Sequence, residues 1–66
     1  MIDDIDKKYN GMPALTVSQA AQFMGVGKSI IYQLIEFGEI AATRERGKIL
    51  VEKRSLDMFR SSGKLT

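Results

Sequence analysis

The pair Gly25 and Gly27, lodged between two runs of helical periodicity, constrains this chain more than any other feature. Upstream, Thr16 and Gln19 have the spacing of a capping box, in which each side chain satisfies a free backbone N–H of the first turn. Val17, Ala20, Ala21 and Met24 then recur at i, i+3, i+4 and i+7, one apolar stripe along a helix. Gly25 can take the left-handed conformation that ends a helix, with Val26 folding back on that end. Gly27 serves as the cap of a second helix from Lys28, a weaker cap than Ser or Asp. That helix buries Ile31, Leu34 and Ile35, with Ile30 and Phe37 flanking them, and stops at Gly38. The spacing therefore predicts a helix, a tight glycine-bounded turn and a second helix.

The outward face of the second helix carries Lys28, Ser29, Tyr32, Gln33 and Glu36. All but Glu36 can donate a hydrogen bond, and all but Glu36 lie in the first two turns. In a helix-turn-helix, those are the residues that approach base edges, and the positive end of the helix dipole favours nearby phosphates. The plainer alternative is an amphipathic helix whose polar face simply meets solvent.

After Gly38 the periodicity changes. Residues 39–45 read as a short extended run, Arg46-Gly47-Lys48 as a turn, and Ile49–Glu52 as a second strand. Ile49 and Val51 should point into the core, while Arg44, Arg46 and Lys48 alternate with the inward positions and crowd the tip. Such a basic hairpin can be a wing that reaches phosphates, or an edge whose charges discourage strand-to-strand association. From Lys53 the helical period returns, with Leu56 and Phe59 on one face to pack against Val17, Met24 and Ile31. Lys53, Arg54, Asp57 and Arg60 fall outside. The fold class that follows is mainly α with a β-hairpin, a winged helix-turn-helix.

Length allows one domain with a thin core. The expected organisation is a flexible leader over residues 1–13, the domain over 14–61 and a frayed tail over 62–66. Tyr9 and Met12 are expected to pack on the domain, and Leu15 to drop into its core. The net charge of +2 is small, but the leader is net negative, and five bases face two acids between Arg44 and Arg54. The chain has no Cys, His or Trp. Its acids are scattered, so no catalytic residues, metal site or cofactor are expected. Gly25-Val26-Gly27-Lys28-Ser29 is not a phosphate loop, because the upstream glycine and the leading strand are missing. No apolar run approaches the ~18 residues that span a membrane.

Leu15-Thr16-Val17-Ser18-Gln19-Ala20-Ala21, then Gly25-Val26, Ile31-Tyr32-Gln33-Leu34-Ile35 and Gly38-Glu39-Ile40, resemble the excisionase/MerR-type winged helix-turn-helix. The resemblance is nearly collinear from Leu15 to about Arg60. It implies a recognition helix in the major groove of double-stranded DNA, with Lys28, Ser29, Tyr32 and Gln33 on the DNA side. Arg44, Arg46 and Lys48 would form the wing, giving about four to six phosphate contacts in all. The implied role is an excisionase, or recombination directionality factor: a cytoplasmic, nucleoid-associated protein of a mobile element. It would bend DNA, self-associate cooperatively on it and assist a tyrosine-type integrase. A small transcriptional regulator of a mobile element would need the same groove contacts. An effector-sensing MerR-type regulator fits less well, because no long dimerisation helix or ligand domain is visible.

The departures from the family pattern bear on partners. Gly27 stands where Ser is common, Ile49 and Leu50 where an aromatic and an arginine are common, and Ala41 and Glu52 where prolines flank the hairpin. Phe37 occupies a position usually polar. Together with Ile30 and Leu50 it is a candidate contact for a neighbouring copy or a recombinase, or else it packs on the hairpin. These residues also keep open a third reading, a protein-interaction module.

Overall fold

The structure, a computed structural model, describes residue 9 and residues 11–63. The expectations for the leader and the tail fall largely on residues 1–8, 10 and 64–66, outside the described residues. In chain order the described elements are β1 (Ala14–Thr16), α1 (Val17–Met24), α2 (Lys28–Glu36), β2 (Ala42–Glu45), β3 (Lys48–Glu52) and α3 (Lys53–Ser61).

The capping box forms as expected. The Gln19 N–H donates to Thr16 Oγ1 at 3.1 Å, and the Thr16 N–H donates to Gln19 Oε1 at 3.0 Å. Gly25 ends α1 with φ 71° and ψ 32°, the left-handed conformation that a Cβ disfavours. Its N–H and that of Val26 return to carbonyls of the last turn, Val26 to Ala21 at 3.0 Å. Gly27 then opens α2 in an extended conformation without a side-chain cap. The turn predicted from the two glycines is therefore the turn observed.

The hairpin is also present, but β2 begins only at Ala42, after a loop pinned by buried Ile40. A strand not anticipated from the sequence joins it. β1 pairs antiparallel with β3, which becomes the centre of a three-stranded sheet of order β1-β3-β2. Leu15 lies opposite Val51, and both are fully buried. At three residues β1 is too short to display an alternation, and its pairing partner lies far along the chain.

Helices cover one side of this sheet. Ala20, Ile31 and Leu56 join Leu15 and Val51 at the centre, with Leu34 and Phe59 around them. Two expectations need correction. Phe23 rather than Met24 joins Val17, Ala20 and Ala21 on the buried side of α1; Met24 only packs at the margin. Ile35, expected inside, is partly buried beside Ile30.

Phe23 is held because three groups close over it. The Tyr9 ring meets it edge-on, with centroids 6.2 Å apart and planes at 80°. The Arg60 guanidinium lies 4.2 Å from its centroid and Lys53 Nζ 5.0 Å. Lys53 also donates to Asp57 at 3.0 Å, one turn along α3. Tyr9 packs on the domain as expected. It is 1% exposed, and its hydroxyl donates to Gln22 Oε1 at 2.8 Å. Lys53 and Arg60 thus serve packing through their long stems and charged heads, although a surface position was expected for both.

Candidate nucleic-acid interface

Among the described residues, no side-chain hydrogen bond or ion pair engages the outward face of α2. Ile31 and Leu34 anchor the helix inward, which leaves Lys28, Ser29 and Gln33 exposed and Tyr32 50% exposed. The bare N-cap at Gly27 puts no side chain between the first turn and whatever approaches it.

The hairpin tip is a two-residue loop, Arg46-Gly47, with both φ values positive at 51° and 78°. Two consecutive positive φ values are the pattern of a type I′ turn, whose twist suits the strands it joins. Gly47 adopts this without strain. Arg46 does not, and an asparagine or glycine would sit there at lower cost.

Strand register sorts the wing bases onto different faces. Cross-strand partners share a face, and Arg44 is opposite Ile49 while Lys48 is opposite Glu45. Arg44 therefore lies on the helix side of the sheet with Ile49 and Val51, not on the face opposite them as the alternation suggested. Lys48 lies on the outer face with Leu50, and Arg46 occupies the tip. All three bases are exposed. None of them, nor Lys28, has an ion-pair partner among the described residues.

A shallow groove runs between α2 and the wing. Its walls are Lys28 and Tyr32 on one side and Gly47–Ile49 on the other, and Thr16–Ser18 at the start of α1 close its end. Of the residues singled out from sequence, the fold brings Lys28, Tyr32 and Lys48 around this groove. Ser29, Gln33, Arg44 and Arg46 are exposed outside it. Thr16 and Ser18 were not anticipated here. They arrive because β1 pairs with β3, a contact with no local signal.

The remaining candidates divide. Phe37 is 73% exposed, so it does not pack on the hairpin. Ile30 packs at the margin of the core, and Leu50 is half-buried on the outer face of β3, opposite Thr16 on one side and Thr43 on the other. Ala41 and Glu52, where the family pattern favours proline, use the N–H groups that proline lacks. Ala41 donates to Ser55 Oγ at 2.7 Å, and Glu52 donates to the Ala41 carbonyl at 3.0 Å.

The positive charge is thus narrower than the sequence suggested. Lys53 and Arg60 are committed to Phe23, and Arg54 lies with Glu39 and Glu52 along another depression. Lys28, Arg44, Arg46 and Lys48 remain on and around the groove. Among the described residues, no helix is long and apolar enough to cross a membrane.

No curated protein and no solved structure matches the chain. The family of helix-turn-helix domains does, over residues 14–64, which takes in all the elements described above. With three helices and a three-stranded antiparallel sheet among the described elements, and with that match, the chain belongs to the helix-turn-helix domain family and is a DNA-binding domain of the winged type.

Proposed function

We propose that this protein is a sequence-specific DNA-binding excisionase, a recombination directionality factor. In this reading it binds and bends DNA at the end of a mobile element and assists a tyrosine-type integrase. The observation that carries the DNA-binding part is the shared groove, where Lys28 and Tyr32 of α2 face Gly47–Ile49 of the wing. One side chain set can then enter a major groove while the other grips the flanking backbone.

Lys28, Ser29, Tyr32 and Gln33 read base edges or adjacent phosphates, and Arg44, Arg46 and Lys48 hold the backbone. With four bases available, log K should fall against log salt with a slope of about −4. Phe37, exposed at the far end of α2, supports a protein contact with the integrase or a neighbouring copy. The setting is the cytoplasm, on the nucleoid.

The test is a gel-shift titration across a mobile-element end, followed by an in vitro excision assay with a tyrosine-type integrase that acts on that end. The proposal expects a ladder of shifted species and integrase-dependent excision that requires the protein. DNA binding without any effect on excision would instead make it a transcriptional regulator with the same groove contacts.

A further inference from the structure

The root of the wing is held from two sides at Ala41. The chain leaving α2 is pinned first by the Glu39 N–H, which donates to the Leu34 carbonyl at 2.9 Å, and then by buried Ile40. Ala41 comes next, exposed and outside any element. Its N–H donates to Ser55 Oγ at 2.7 Å, and its carbonyl accepts from the Glu52 N–H at 3.0 Å. Ser55 sits in the first turn of α3, whose N-cap Glu52 makes no side-chain capping bond. A serine so placed often turns its hydroxyl back to its own helix; here it is directed to the wing root.

We propose that Ser55 is a positioning residue for the wing. Its hydroxyl fixes Ala41 and with it the angle at which the β2–β3 hairpin stands beside α2, without touching nucleic acid. Ser55 borders a depression with Glu39 and Met58 that shares no residue with the groove between Lys28 and Lys48. Two segments converge at this bracket: the loop from α2, ending in Ala41 before β2, and the junction where β3 passes into α3. Without the hydroxyl, water can satisfy the exposed Ala41 N–H. The loss is therefore one of geometry more than of fold.

This inference rests on the DNA-binding role of the wing, and the experiment separates the two. The probe is a DNA duplex selected from a random pool by the wild-type protein. Affinity and its salt dependence are measured for Ser55→Ala and Ser55→Thr. They are also measured for the triple wing variant Arg44→Ala/Arg46→Ala/Lys48→Ala, alone and combined with Ser55→Ala. Ser55→Ala should weaken binding by about three- to tenfold and flatten the log–log slope by about one. Ser55→Thr should bind within about twofold of wild type, since it retains the hydroxyl. In the wing-less background Ser55→Ala should have no further effect, whereas simple destabilisation would persist there. Amide exchange at Ala41, faster in Ser55→Ala than in Ser55→Thr, reports the bracket independently of DNA. Equal losses in both backgrounds would overturn the proposal. So would a wing variant that binds weakly beside a Ser55→Ala that binds normally, and this result leaves the DNA-binding role of the wing standing. A triple variant that binds as wild type removes the wing from the interface and the inference with it.

Discussion

The cluster around Phe23 and the groove between α2 and the wing both use basic side chains, to opposite ends. At Phe23, Lys53 and Arg60 lie over an aromatic ring, and Lys53 is further tied to Asp57. Lys28 and Lys48 at the groove, and Arg44 and Arg46 beyond it on the wing, have no ion-pair partner among the described residues, and Arg46 even accepts a strained backbone. The difference teaches that a count of basic residues says little about a nucleic-acid footprint. What matters is which cations are already engaged by the fold. Those that are engaged stabilise the domain; those that are not remain available to phosphates.

The contrast breaks most visibly at the ring itself. Phe23→Ala should cost about 3–5 kcal/mol, enough to unfold much of the population of so small a domain, as read by urea or thermal unfolding. Tyr9 is the lesser half of the same cluster. Tyr9→Ala should cost about 2–4 kcal/mol, against about 1 kcal/mol for Tyr9→Phe, which loses the Gln22 bond alone. A Tyr9→Ala protein as stable as wild type would remove that residue from the folding unit. On the other side, Arg46→Ala should weaken binding to all duplexes and flatten the salt slope by about one unit, with no loss of stability. Arg46→Gly sharpens the comparison further. It should raise stability by about 1 kcal/mol by relieving the positive φ, while lowering DNA affinity as Arg46→Ala does. The smallest effect belongs to Gly27→Ser. Its Cβ would meet nothing nearer than Ser29 Oγ at 3.9 Å, so a capping hydroxyl should add a few tenths of a kcal/mol.

Much of this was legible from residue spacing because it is decided locally. Thr16 and Gln19 cap α1, Gly25 ends it, and Ile31 and Leu34 fix the buried side of α2, each within a turn or two of chain. The tight turn at Gly47 was legible for the same reason. What was not legible depends on partners distant in sequence. β1 exists because β3 offers it an edge. Phe23 is chosen over Met24 because Tyr9, Lys53 and Arg60 converge on that azimuth of α1, a choice that a helical repeat leaves open by one residue. The face taken by Arg44 follows from the cross-strand register, which the turn sets once Arg46 and Gly47 both adopt positive φ. The groove inherits these distant decisions: Lys28 and Tyr32 could be named from α2 alone, but Thr16 and Ser18 could not.

The last residue of β3 is also the cap of α3, with no connecting loop between them. The β3 side of the hairpin thus runs straight into a helix that Leu56 and Phe59 seat in the interior. Play in the hairpin is thereby concentrated at its β2 end, where Ala41 is the point of restraint.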